Sequence, residues 1–332
     1  MAKVQVSEPW PLTRREPELL TFTAALADPD RHCLVLYGPA GVGKSRLAAA
    51  CLAQAEAGGH LTARVMASQA AALLPLGALA PILPHDIGAQ ASPAEVFERT
   101  RAGLAALGGD RRLVLMVDDA HLLDTSSAVL LTQLLGAGVV FVLATIREGE
   151  ALPDAVAGWW RGEDAVRIDL GDLDRAATSE LLTHALGGAV GGDTVRRLHV
   201  ASGGNPLLLR ELVLQAFDRG LVHDDSGTWR LTGPLAPSRR LVDVLATRLG
   251  ALSPSARGLL DQLAVCAPLG PAELAGPVAD DELEALERAG LLLVIVDGHR
   301  HQLVLAHPLY GEALRADLTV LRRRAILLAV AA

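Results

Sequence analysis

The sequence predicts an α/β protein: a parallel sheet with helices on both faces, followed by a helical segment and then a region of helices and a hairpin. Three observations carry this. Short apolar runs at His32–Tyr37, Leu113–Val117 and Val139–Thr145 are bounded by charge or glycine, the mark of strands buried on both faces, and Val166–Leu170 is the candidate for a fourth strand. Helical patterns at Glu16–Ala27 and Ser45–Glu56 flank the first of them, and strands alternating with helices imply a parallel sheet. Beyond Gly171 the pattern changes to helices separated by glycine-rich turns.

The first run has CLVLY at its core and is followed by Gly-Pro, and Gly58-Gly59 ends the helix after it. Asp28-Pro-Asp30 breaks the helix before it. After Gly171, Asp174–Leu186, Thr194–Ala201 and Pro206–Arg219 read as helices and Gly220–Leu231 as a short hairpin. Helices resume at Leu241–Leu249, Ser253–Cys266, Pro271–Val278 and Asp281–Ala289. Leu291–Val296 and His301–Leu305 then form a second hairpin, turning tightly at Asp297-Gly298. Helices followed by a hairpin suggest a winged-helix arrangement. The apolar helical run Leu321–Ala332 ends without a capping glycine or proline, which reads as a piece of something longer.

Composition narrows the function classes. The chain has 332 residues, 51% of them hydrophobic and only 3% aromatic, so its cores are built from Leu, Val and Ala. Two or three domains are expected at this length. Thirty basic residues against 38 acidic leave a net charge of −8, which argues against a chain that mainly coats nucleic acid. Cys33, Cys51 and Cys266 are odd in number and far apart. They suggest neither a disulfide framework nor a zinc site, and fit a reducing cytoplasm. No signal-peptide core and no membrane-spanning run are visible. Lys3 and Lys44 are the only lysines.

Lys44 lies in the segment Gly38-Pro-Ala-Gly41-Val42-Gly43-Lys44-Ser45, which fits G-x-x-x-x-G-K-S/T between a strand and a helix, the context a P-loop requires. Glycines let successive backbone N–H groups turn toward phosphate oxygens, and the helix that follows adds its positive N-terminal end. Lys44 is expected on the β- and γ-phosphates and the Ser45 hydroxyl on Mg2+. Gly38, Gly41, Val42, Gly43 and the following Arg46 complete the candidate nucleotide-binding set.

The run LVLMV ends in Asp118-Asp119. Carboxylates cannot stay inside a buried strand without partners, so they are expected at the C-terminal edge of the sheet, where ligands of doubly wound sheets bind. Asp118 is the candidate metal residue, and Asp119 the candidate for orienting or deprotonating an attacking water. Helix capping is the competing reading for both, and it is the favoured one for Asp124. His121 reads as structural. At the end of the next strand, Arg147 is placed to fork onto a γ-phosphate, with a surface arginine as the alternative. Asn205 and Pro206 suit the N-cap and first position of a helix.

Together these residues carry a family resemblance. LTRREPEL at Leu12–Leu19 is similar to the GRExEL segment of STAND-class, AAA+-related NTPases, with Arg14 in place of the usual glycine. LVLMVDDAHLLD (Leu113–Asp124) resembles their Walker B segment, Ala144-Thr-Ile-Arg147 their sensor strand, and Gly204-Asn-Pro-Leu207 their GNPL motif. Pro75–Ala80 resembles a segment of large ATP-binding LuxR-type, MalT-like regulators, and Ala306-His307-Pro-Leu309 a winged-helix histidine motif. The resemblance spans about Leu12 to Leu327. It implies a nucleotide-binding domain over 1–170, a helical lid over 171–236 and a winged-helix domain over 237–332. It also implies Arg15 near the adenine or ribose, Pro206 on the adenine, Arg147 on the γ-phosphate and His307 on the β-phosphate of ADP. For His307, a helix-start or core histidine is the alternative.

The function expected from this is an ATP/ADP-binding switch with slow ATP hydrolysis, magnesium as the metal, and self-association in the ATP state. DNA would be bound only through a domain absent from these residues, and no membrane is involved. The alternatives are a turnover AAA+ machine and a nucleotide-binding interaction module without hydrolysis.

Overall fold

The three apolar runs and the fourth candidate are strands of one five-stranded parallel sheet. A computed structural model describes residues 10–84, 91–108, 112–159, 162, 164–235, 252–276, 279–289, 291–297, 300–306 and 308–330. The sheet holds β1 (Cys33–Gly38), β2 (Leu61–Met66), β3 (Leu113–Asp118), β4 (Val140–Arg147) and β5 (Ala165–Asp169) in the order β2-β3-β4-β1-β5. Every pairing is parallel. The chain folds into two compact units, Arg14–Gly171 and the residues from Asp172 onward joined by those up to Thr13.

Residues on each strand alternate between the two faces of the sheet. Val35, Leu115, Val117, Val142 and Ala144 enter one buried cluster with Val96 and Leu104 of α3 (Pro93–Gly108) and Leu131 and Leu134 of α4 (Thr125–Gly136). Leu34, Leu36, Met116, Phe141 and Leu143, the residues between them, are equally buried. Phe22 of α1 (Glu16–Ala27) meets Phe141 edge-on at 6.0 Å on that opposite face, with α2 (Lys44–Ala57) also against the sheet. A fully buried Leu or Phe contributes about 1.5–3 kcal/mol. The two-sided cover is therefore the main source of stability for β1, β3 and β4.

β2 is the strand the apolar runs do not announce. It lies at the sheet edge, only Val65 is buried, and Thr62 and Arg64 interrupt its hydrophobicity. α3 likewise has no run to mark it. Cys33 and Cys51 are buried, and desolvation pushes both thiols up, that of Cys51 to about 12.

In the second unit, α6 (Arg175–Leu186), α7 (Gly192–Ser202) and α8 (Pro206–Asp218) follow α5 (Asp154–Gly158) of the first. Asp174 accepts a bond from Ala177 N and Asn205 from Leu207 N and Leu208 N, which start α6 and α8. The hairpin β7 (Val222–Asp225) and β8 (Thr228–Leu231) is antiparallel, with β6 (Ala189–Val190) parallel to β8. Beyond it lie α9 (Pro254–Cys266), α10 (Asp280–Arg288), the antiparallel pair β9 (Leu292–Asp297) and β10 (Arg300–Leu305), α11 (Pro308–Asp317) and α12 (Val320–Val330). Leu182, Leu209, Leu212, Leu260, Leu292 and Leu314 form the centre of one hydrophobic core.

Pro271–Val278 differs from expectation. Among its described residues, 271–276, only the single turn Pro271–Glu273 is helical: Leu274 is extended and Gly276 takes φ +100°, a left-handed conformation that regular helix excludes. The expected helix Leu241–Leu249, the residue Gly298 of the tight turn, and His307 lie outside the described residues. No described helix is long and apolar enough to cross a membrane.

Candidate functional site

The phosphate-loop candidate leaves the C-terminal end of β1 and enters α2. Gly38 has φ +153°, and a Cβ there would sit 2.2 Å from the Leu170 carbonyl oxygen. The chain after β5 thus presses on the loop's first residue, and Leu170 N donates to Tyr37 O at 2.7 Å. Gly41 and Gly43 are left-handed. Gly43 is the N-cap of α2 and supplies no side-chain acceptor, so no side chain caps the helix end that would face an anion. Gly38→Ala is expected to lower the stability of the chain by about 2–5 kcal/mol, adding overpacking to backbone strain. Urea unfolding of the two proteins measures it.

Lys44 is buried with only 7% of its surface exposed. Its Nζ donates to Gly38 O at 2.8 Å and Pro39 O at 2.7 Å. The ammonium therefore lies under the loop it would serve. Val42 is buried beside it, and Arg46 is exposed on the first turn of α2.

Asp118 closes β3 and is buried. Its Oδ1 accepts from Ser45 Oγ at 2.7 Å and from Thr145 Oγ1 at 2.7 Å, and its Oδ2 accepts from Arg64 Nη2 at 2.9 Å. The strand order explains the set. β4 lies between β1 and β3, so Thr145 at its end reaches across to Asp118 while the P-loop arrives from the other side. Sequence reading reached Ser45, Asp118 and the end of β4. It missed Arg64, because nothing marks β2 as a strand ending at this edge.

Asp119 follows in the left-handed region, φ 54° and ψ 48°, unusual for a non-glycine residue. Its N–H donates to Thr145 Oγ1 at 2.9 Å, which fixes the turn. No hydrogen bond of its side chain caps the short helix Ala120–Leu122, whereas Asp124 Oδ1 accepts from Ser127 N and caps α4. The Asp119 carboxylate stands 4.0 Å from Arg147 Nη2 and 4.0 Å from His121 Nδ1, and Arg147 Nη1 is 3.8 Å from Glu150. Burial holds His121 below the ordinary histidine range against the pull of Asp119, so the ring is neutral at pH 7. Its Nδ1 finds no hydrogen-bond partner among the described residues.

Arg15 binds Glu18 at 2.9 Å and the Gly171 carbonyl at 3.1 Å, which holds it at the chain leaving β5, the strand beside β1. Pro206 opens α8 in the second unit, where Gly204 takes φ +79° and a Cβ would meet the Leu173 carbonyl at 2.1 Å. The glycine and asparagine of that motif have local reasons to be there. The structure thus gathers Gly38–Ser45, Asp118, Asp119 and Arg147 at one edge of the sheet.

This edge suits a magnesium-bound phosphate chain. A hydroxyl and a carboxylate oxygen 2.7 Å apart are hard oxygen donors, and magnesium takes few protein ligands because phosphates and water supply the rest. Among the described residues no cluster of three or more His, Cys, Asp or Glu could hold a metal by itself.

Residues 11–142 match the family model of the AAA ATPase domain. No curated protein matches the chain. Among solved structures, the chain is similar to the ORC2 protein of Aeropyrum pernix, solved as ADPNP-ADP complexes, with 14% identity and a TM-score of 0.54 over 98% of each chain. It also matches the ORC1 protein of Aeropyrum pernix in complex with DNA, with 18% identity and a TM-score of 0.48 over 93% of this chain and 94% of that one. Thermotoga maritima RuvB matches with 16% identity and a TM-score of 0.45 over 92% and 96%. Residues 11–142 thus match the AAA ATPase domain, and the fold is similar to that of Aeropyrum pernix ORC2.

Proposed function

We propose that the chain is an ATP/ADP switch: it binds nucleotide with magnesium at the P-loop, hydrolyses ATP slowly, and signals by the difference between its two nucleotide states. The observation that carries this is the meeting of Ser45 and Thr145 on the Asp118 carboxylate, with Asp119 and Arg147 next to it. In this reading Lys44 and the N-terminal end of α2 hold the β- and γ-phosphates. Ser45 and Asp118, 2.7 Å apart, would hold Mg2+ and its waters. Asp119 orients a water and takes its proton as oxygen attacks the γ-phosphorus. The bond from γ-phosphorus to the β,γ-bridging oxygen breaks, and Arg147 steadies the charge on the γ-phosphate oxygens. Magnesium supplies charge neutralisation at the phosphates.

The finer reading rests on the sequence resemblance. It makes the chain the regulatory NTPase module of a LuxR-type regulator, with domains at 1–170, 171–236 and 237–332, the last a winged helix. Arg15, Pro206 and His307 join the nucleotide-binding set on the same ground. A switch requires that ATP and ADP favour different states. Light scattering is expected to give a monomer with ADP and a larger species with a non-hydrolysable ATP analogue; the same mass with both nucleotides refutes the switch.

The match to the AAA ATPase domain itself also favours a second reading, a turnover machine. Steady-state hydrolysis well above one turnover per second together with ring formation would select it.

A further inference from the structure

Phosphate chemistry does not require Arg64, the cation of the Asp118 cluster. It comes from the edge strand β2, and it binds the carboxylate oxygen that neither hydroxyl uses. Its side chain is 46% exposed, while that of Asp118 is 7% exposed. A buried carboxylate without a cation is costly. A half-exposed guanidinium regains water when it swings away, so the cost of its leaving falls on Asp118 and is met when another cation takes its place. The water shell of a bound Mg2+ would need the same Asp118 oxygens, and a +1 fork next to a +2 ion is repelled.

We propose that Arg64 is a displaceable counter-ion for Asp118: it neutralises the carboxylate when magnesium is absent and competes with magnesium for it. This rests on the magnesium-nucleotide reading above. It makes Arg64 a positioning residue that sets how much magnesium the site needs, separately from how well the loop grips phosphate.

The test is magnesium titration of the binding of a fluorescent N-methylanthraniloyl ADP, followed by anisotropy, in the full chain and in Arg64→Met. The variant is expected to reach half-saturation at about three- to tenfold less magnesium. Without metal, in EDTA, its melting temperature is expected to fall below that of the parent chain. Arg64→Lys, which keeps the charge, is expected to stay near the parent's magnesium requirement. If Arg64→Met does not fold, Arg64→Gln removes the charge while keeping a donor, and the same downward shift is expected. An unchanged or raised requirement, with the parent chain binding normally, overturns the role of Arg64 and leaves the nucleotide reading standing. A parent chain that binds no labelled ADP at any magnesium concentration overturns the nucleotide reading, and this inference with it.

Discussion

Lys44→Ala is expected to weaken nucleotide binding by roughly 100-fold or more. Lys44 supplies a charge-assisted hydrogen bond to each of two phosphates in this account, and each such bond is worth about 1.5–3 kcal/mol. Two of them correspond to roughly two to four orders of magnitude in affinity. The substitution leaves the fold intact. Alanine is a good helix former at the start of α2, so the cost to the fold is confined to the Gly38 and Pro39 carbonyls that lose the ammonium. Titration calorimetry with ADP and magnesium, beside a thermal melt, separates the two effects. Lost affinity with a retained melting temperature is the expected pair of results. Unchanged affinity would remove the P-loop assignment.

Asp119→Asn is expected to slow ATP hydrolysis by about 10²- to 10⁴-fold, the range for losing a positioned general base, while nucleotide affinity changes little. Asparagine is the right replacement because it tolerates the left-handed backbone that Asp119 adopts. The amide bond to Thr145 Oγ1 comes from the main chain and survives. A single-turnover assay with labelled ATP isolates the chemical step. Hydrolysis at the parent rate would move the chain to the class of non-hydrolysing binding modules.

What the sequence made legible follows from where the physical constraint is local. The P-loop is readable because its glycines, Lys44 and Ser45 each answer a requirement at a fixed spacing, between a strand and a helix. β1, β3 and β4 are readable because strands buried on both faces must be apolar throughout. Helix starts at Asp174, Asn205 and Ser253 are readable because each side chain accepts a bond from its own first turn. β2 was not readable. An edge strand with one buried residue has no apolar signature, and only its pairing with β3 reveals it.

The missing parts of the site follow from that. Arg64 meets Asp118 through strand order, a property of the whole sheet and not of any segment. The left-handed turn at Asp119 likewise depends on Thr145, 26 residues away. Pro271–Val278 was misread in the other direction. Its composition suits a helix, and the extended backbone at Leu274 ends it after one turn.

The most direct test of the central claim is to purify the chain, denature it and identify by chromatography any nucleotide released. The account predicts stoichiometric ADP from the parent chain and none from Lys44→Ala. A chain that releases no nucleotide, and that binds neither ADP nor ATP when each is added with magnesium, contradicts it.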